Sequence, residues 1–306
     1  MSLVVVGTMA FDAIETPFGK SDKIIGGSAM YVAYSAIHFL QPVQQISIVG
    51  NDFPEEELAH LKNCGVDTEG VEIVPDGKSF FWSGRYHMDM NTRDTLVTEL
   101  NVLSQFNPVL PDSYKESEFL MLGNVMPALQ KKVIEQFTVR PKLIVLDTMN
   151  FWMDTAMDDL LEVMQLTDVV LINDSEARQL SNEYSLVKAA KKILTMGPKY
   201  LIIKKGEHGA VLFHKNNVFF APALPLEVVF GPPCAGVAFA CGVIWPLGRT
   251  QDISYENMKT AIIVGSAMAS FCVEKFGTER LKEITKEDIA IRIHDFVELV
   301  NFDIAL

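Results

Sequence analysis

The stretch Asp168-Val-Val-Leu-Ile-Asn173-Asp-Ser-Glu176-Ala-Arg-Gln-Leu180 decides the fold class. Its first half is a short β-branched run ending on Asn173, and its second half opens a helical pattern. Asn173 is placed to cap that helix, and Glu176, one turn in, faces the same side. The same unit recurs along the chain. Strand candidates at 3–7, 45–50, 118–123, 142–147, 200–204 and 210–214 join the one at 168–173. Between and after them lie helical patterns at 28–40, 55–63, 127–137, 155–165, 174–180, 186–196, 235–247 and 254–276. A last helix starts after Thr285, with Asp288 three residues on to complete its cap. Strand–helix alternation of this kind predicts an α/β fold with a mostly parallel central sheet and helices on both faces. Several strands end in Gly, Asp or Asn, at the edge where open α/β sheets hold their ligands.

Two segments, about 12–25 and 78–100, break the rhythm with extended polar and aromatic sequence, including Phe80-Phe81-Trp82-Ser83-Gly84-Arg85-Tyr86. They read either as a small separate β lid over the cleft or as a surface hairpin. No linker or internal repeat divides residues 1–306, so one domain carrying this lid is expected. An exposed lid edge invites pairing with a second copy, a homodimer.

Composition narrows the function. The 306 residues are 49% hydrophobic and 21% charged, enough for a large core. A net charge of −13 argues against a nucleic-acid partner, which recruits a basic face. Local backbone N–H groups can still hold phosphate on an acidic protein. Cys64, Cys234, Cys241 and Cys272 lack the paired spacing of a zinc site or a disulfide framework. The first residues read as a strand rather than a signal peptide, and the apolar run 261–273 is too short to span a bilayer. No membrane partner and a cytoplasmic location are expected.

Five places carry chemistry-bearing residues, each with a plainer alternative. Asp12 follows the first strand and can accept hydrogen bonds from substrate hydroxyls, or simply hold a turn. Gly26-Gly27 precedes a helix and lets a ligand approach its N–H groups, or makes an ordinary turn. Glu176 can hold the water shell of Mg²⁺, or only close a capping box with Asn173. Lys205-Gly206-Glu-His-Gly209 can lie against phosphates, or form a hairpin between two strands. In Phe230-Gly-Pro-Pro-Cys-Ala235-Gly236-Val237, small residues open a helix at a good anion site. That run contains no side chain able to move a proton. Neither GxGxxG nor GxxxxGK[ST] occurs, which removes most of the weight from a dehydrogenase or P-loop enzyme.

In their order and spacing these motifs resemble the ribokinase, or PfkB, family of carbohydrate kinases, over essentially the whole chain. Gly26-Gly27 and Ile48-Val-Gly50-Asn-Asp52 resemble the family's N-terminal signature, Asn173–Glu176 its NxxE motif, and Gly206 with Gly209 its GxxG loop. The Gly-Gly-Ser-Ala opening and the Asn-Asp-Phe-Pro-Glu-Glu run further resemble a bacterial branch of sugar kinases. The resemblance implies a ribokinase-like domain with a β lid, and transfer of the ATP γ-phosphoryl group to a hydroxyl of a sugar or related polyol. A nucleoside is the alternative substrate, with Phe81, Trp82 and Tyr86 able to stack a base or to form the lid's own core. ATP and Mg²⁺ are the implied cofactors, with Asn173, Glu176, Lys205, Gly206 and Gly209 at the nucleotide and Asp12, Gly26 and Gly27 at the substrate. Glu176 is the implied Mg²⁺ residue, through water.

The resemblance breaks at one motif. Where the family has DPTGAGD, this chain reads Gly231-Pro-Pro233-Cys234-Ala235-Gly236-Val237. Ala235 and Gly236 keep the implied anion hole, but Val237 stands in the place of the general-base Asp. Tyr31 stands where the family has a substrate-binding Asn. Loss of a general base costs about 10²–10⁴-fold in rate, so the motif fits poor turnover or a non-catalytic ligand-binding homologue.

Overall fold

The computed structural model describes residues 2–231 and 235–301, so Pro233 and Cys234 of the altered motif lie outside the described residues. From the N-terminus run β1 (Leu3–Val6), β2 (Ala10–Thr16), β3 (Gly19–Gly26), α1 (Ser28–Ala36), β4 (Val43–Gly50) and α2 (Glu55–Asn63). Next come β5 (Val66–Val74), β6 (Phe80–Tyr86), β7 (Arg93–Glu99), β8 (Phe119–Leu122), α3 (Pro127–Glu135) and β9 (Leu143–Asp147). They are followed by α4 (Asn150–Thr155), α5 (Met157–Leu166), β10 (Val169–Asn173), α6 (Asp174–Ser181) and α7 (Leu186–Leu194). The chain continues with β11 (Tyr200–Lys204), β12 (Ala210–His214) and β13 (Asn217–Ala221). Four helices close it: α8 (Ala235–Thr250), α9 (Tyr255–Cys272), α10 (Glu279–Glu283) and α11 (Lys286–Val300).

Among the described residues, nine strands form one sheet in the order β13-β12-β11-β10-β9-β8-β1-β4-β5. It is parallel from β5 through β11, and β12 and β13 complete it antiparallel. Alternate residues of one strand supply two separate cores, as the period of a strand requires. Leu3 and Val5 join Met121 and Val145 under α1, α8 and α9. Val4 and Val6 join Leu122 and Ile144 under α3, α5 and α7. Strands buried on both faces read as continuous apolar runs, which is why the sequence announces them.

The elements the sequence hides are the edges. β5 carries Asp67, Glu69, Gly70 and Glu72, and β13 is mostly exposed, so neither shows such a run. The six-residue α4 is too short to display a helical period. At the other end of the chain, Thr285 and Asp288 cap α11 reciprocally. No described helix is long and apolar enough to cross a membrane.

A second sheet of four strands, β3-β2-β6-β7, contains most of the two segments that break the alternation. β2 and β6 run parallel in a register that sets Phe11 beside Phe81 and Asp12 beside Trp82. The first pair faces inward: Phe11 meets Phe53 at 5.8 Å between ring centroids, and Phe81 packs on the core. The second pair therefore faces outward, and both of its members line a cleft. Beyond them β7 is exposed along its whole length.

Helices α8 and α9 pack glycine against glycine. A Cβ on Gly242 would stand 2.7 Å from Gly265 Cα and 2.8 Å from the Val264 carbonyl oxygen. Backbone cannot yield as a side-chain tip can, so Gly242→Val should destabilise the fold by about 1–3 kcal/mol or more. The check is a lower urea midpoint with an unchanged m-value. An unmoved midpoint would mean that the two helices do not pack this closely.

Candidate active site

β1 lies between β8 and β4, and the order of the sheet reverses there. A cleft of about 2400 Å³ opens beyond the carboxyl ends of β1, β8, β9, β10 and β11, where a sheet of this kind places its ligand. The second sheet forms its opposite wall.

Near β1 the cleft is built by close backbone approaches. Ser28 N–H donates to Thr8 Oγ1 at 3.0 Å, and Thr8 N–H donates to Ser28 Oγ at 3.1 Å. Gly27 has φ of 90°, and a Cβ there would run into the Thr8 carbonyl. Gly26 leaves room for the Asp12 carboxylate, which a Cβ would strike. Asp12 accepts from the Gly27 backbone N–H. Burial pushes its pKa up to about 7, against the downward pull of that hydrogen bond and of Arg93. Tyr31, buried, lines the cleft where the resemblance would place an Asn.

On the other side, register brings three strand ends together. Asn173 of β10 is level with Lys204 of β11, and Asp147 ends β9 beside Leu171. Lys204 Nζ donates to Asp147 Oδ1 at 2.7 Å. Asn173 Oδ1 accepts from the Glu176 N–H at 2.8 Å, and Glu176 Oε2 accepts from the Asn173 N–H at 2.7 Å. The capping box is therefore real, and Glu176 still lines the cleft. Burial raises its pKa to about 7, Lys204 draws it down and Asp147 adds to the rise. Thr148 lines the same wall with a buried hydroxyl that has no hydrogen-bond partner.

The loop from β11 to β12 is an antiparallel hairpin with a 3₁₀ turn at Gly206–His208, and it lines the cleft as well. Gly206 and Gly209 take φ of 58° and 82°, which a β-carbon would strain. Lys205, expected at the nucleotide, does not line the cleft, and its ammonium sits 6.0 Å from the Phe220 ring centroid. Its neighbour Lys204 does line the cleft. Strand alternation sends the two side chains to opposite sides.

Ala235, Gly236 and Val237 begin α8 and line the cleft. A Cβ on Gly236 would stand 2.7 Å from Lys204 Nζ, so the ammonium lies against the head of this helix. Val237 is half-buried and packs on the core. Asp12, Gly27, Asn173, Glu176, Gly206, Gly209, Ala235, Gly236 and Val237 thus share one cleft, with Gly26 behind Asp12. Lys204 and Asp147 were missed, although both are charged residues ending apolar strands, the signal that marked Asn173. Arg93 also lines the cleft from β7, and only the second sheet's folding brings it there.

Comparison with known proteins agrees with this geometry. Residues 2–285 match the pfkB family carbohydrate kinase model, and the chain belongs to this family of kinases. It is 27% identical over 293 residues to a cytidine kinase of Thermococcus kodakarensis, covering 94% of this chain and 97% of that protein. In fold it is similar to a Burkholderia thailandensis nucleoside kinase in complex with ADP-inosine, with a TM-score of 0.76 and 18% identity, covering 97% of this chain and 96% of that one. An Escherichia coli chain described as a ribokinase II, in complex with ATP and Mg²⁺, gives a TM-score of 0.77 at 20% identity and covers 96% of this chain and 99% of that one. The fold is ribokinase-like.

Asp12 and Glu176 titrate near pH 7 in the fold, whereas an unfolded chain titrates such groups near 4. The native state therefore holds extra protons between about pH 4 and 7 and loses stability as pH rises through that window. Asp12→Asn still offers an acceptor to Gly27 but has no proton to lose. It should match the parent near pH 4 and exceed it at pH 8 by something on the order of 2–4 kcal/mol, with Glu176→Gln moving the same way. Thermal melts at the two pH values check this. A variant less stable than its parent at pH 8 contradicts the burial of that carboxyl.

Proposed function

We propose that the cleft binds ATP with Mg²⁺ and phosphorylates a sugar hydroxyl of a nucleoside, slowly for want of a base at residue 237. The register pairing of Asp12 with Trp82 on the cleft face supports a nucleoside. A carboxylate suits ribose hydroxyls and an indole suits a flat base, and neighbouring strands lie about 4.8 Å apart. The related cytidine kinase and nucleoside kinase point the same way. A free sugar is the second reading, favoured by the tight corner that Asp12, Gly26 and Gly27 form without the aromatic wall.

The nucleotide phosphates would lie between the head of α8 at Ala235 and Gly236, the Asn173–Glu176 turn and the Gly206–Gly209 loop. The donor set suits them: an orphaned Thr148 hydroxyl, a cleft-facing ammonium and small residues that leave backbone amides accessible. Glu176 would hold Mg²⁺ through water, an ion that keeps several waters and takes few protein ligands. Bound there, the ion would offset phosphate charge. The second sheet would serve as the lid. Its exposed β7, with Leu96 and Val97 uncovered and Leu100 just beyond its end, would pair with a second copy in a homodimer. Use of ATP fits a cytoplasmic protein.

Val237 packs acceptably but cannot take a proton from the attacking hydroxyl. The protein as it stands should bind ATP and turn over poorly. Combined reversion of Gly231→Asp, Pro233→Thr, Cys234→Gly and Val237→Asp should raise the rate on a panel of nucleosides and sugars by at least about 10²-fold. Robust turnover by the unaltered chain would sink this account of residue 237. Glu176→Gln should weaken Mg²⁺-dependent ATP binding in calorimetry while the fold is retained, and binding unaffected by the change would remove Glu176 from the metal.

A further inference from the structure

We infer that Asn124 and Trp152 form the subsite that reads the base of the acceptor nucleoside, the indole as a fixed wall and the carboxamide as a paired donor and acceptor. The inference rests on the reading of this cleft as a nucleoside site and names the part of it that sees the base.

Asn124 follows β8 in a turn that the fold holds from several sides. Gly123 N–H donates to the Val6 carbonyl at 2.7 Å. The Gly123 carbonyl accepts from Val125 N–H at 2.9 Å and from the buried Gln130 side chain at 2.8 Å. This turn lies against the substrate corner, since a Cβ on Gly123 would stand 2.7 Å from Ser28 Oγ at the start of α1. From the neighbouring strand end, α4 brings Trp152 to the turn, and its Nε1 donates to Asn124 Oδ1 at 2.7 Å. Asn124 Nδ2 donates in turn to Met149 Sδ. Phe151 meets Trp152 edge to face, at 4.9 Å between ring centroids. All four residues line the cleft.

The chemistry of this group suits a base. An indole N–H can only donate, so the carboxamide oxygen must face it and the amide cannot turn over. One bond at each end leaves Oδ1 with a lone pair and Nδ2 with an N–H. A sugar hydroxyl needs no such oriented pair, because it rotates to suit its partner. A nucleobase does need one. Cytosine, uracil and adenine each set a ring nitrogen beside an exocyclic group, one a donor and the other an acceptor, and an Asn side chain matches such an edge. Two aromatic rings and a thioether beside the amide would stay against water next to a free sugar, whereas they pack on a flat base. Asn124 and Trp152 fix each other before any ligand arrives, so binding has little left to order. On this division Asp12 holds the ribose, Trp82 covers the base from the second sheet and Asn124 reads its edge.

Calorimetry on the full chain with cytidine, uridine, adenosine and free ribose in turn tests this. The tightest of the three nucleosides should bind at least about 10-fold better than ribose, and its analogue methylated on the ring nitrogen of the paired edge should lose about 10-fold. Asn124→Ala should weaken the nucleoside by about 10-fold, leave ribose within about 2-fold and abolish the penalty for methylation. Asn124→Asp keeps an acceptor for the indole N–H but has no N–H to offer, so it should show the same loss with α4 undisturbed. A role confined to holding α4 in place would lower the affinities for nucleoside and methylated analogue alike. That result, or a parent chain indifferent to methylation, overturns the subsite and leaves the nucleoside reading standing. Ribose bound as tightly as any nucleoside, or no binding of any of the four, overturns the nucleoside reading and the subsite with it.

Discussion

Two carboxyl groups buried on facing walls of one cleft are the constraint on which the rest of the site depends. Asp12 and Glu176 are each nearly inaccessible, and both are pushed toward neutrality by the loss of water. Such burial costs free energy unless hydrogen bonds and cations offset it. The fold supplies both kinds of compensation. Backbone N–H groups at Gly27 and Asn173 donate to the carboxylates, and Lys204 and Arg93 bring positive charge near them. A stable core does not need two such groups in one opening. Their burial beside cations supports the proposal that the molecule does its chemistry in this cleft.

The parallel sheet makes this arrangement possible. Carboxyl ends of neighbouring strands lie side by side, so Asp147, Asn173 and Lys204 become neighbours although up to 57 residues separate them along the chain. Glycines at the strand and helix ends then remove the Cβ atoms that would fill the space. Gly26 yields to the Asp12 carboxylate, Gly236 to the Lys204 ammonium and Gly206 to the Asn91 carboxamide. Each of these contacts joins one wall or lip of the cleft to a polar group from elsewhere in the chain.

What could be read in the sequence follows from the same physics. Doubly buried strands are continuous apolar runs, so the core of the sheet was legible, and the capping box at Asn173 and Glu176 could be read from spacing alone. The edge strands β5 and β13 were not, because solvent on one side lets Asp, Glu and Asn interrupt the pattern. Within the site, residues adjacent in sequence to a strand end or helix start were found. Lys205 was chosen over Lys204 because a motif fixes position along the chain, whereas only strand alternation says which of two neighbouring lysines faces the cleft. Arg93 carried no local signal. Its place depends on the pairing of β6 with β7 and on the contact of the second sheet with the hairpin loop, both long-range facts.

On the proposed function, valine at residue 237 would remove one contribution to catalysis and leave others in place. A general base acts on the hydroxyl proton, and valine cannot do so. The small residues at the head of α8, the ammonium against Gly236 and the carboxyl pair across the cleft would act on charge and position instead. In phosphoryl transfer these latter effects usually outweigh proton removal, since the transition state is loose and its negative charge is spread over oxygen. A cleft that keeps its cations and its geometry would therefore keep the larger share of what stabilises that state. On the proposed function, the valine also sets an apolar side chain where the attacking oxygen would shed its proton. There it packs against the core and would leave nothing to receive the proton. On this reading binding and turnover would be separable in this chain, because they would rest on different atoms at the same helix end.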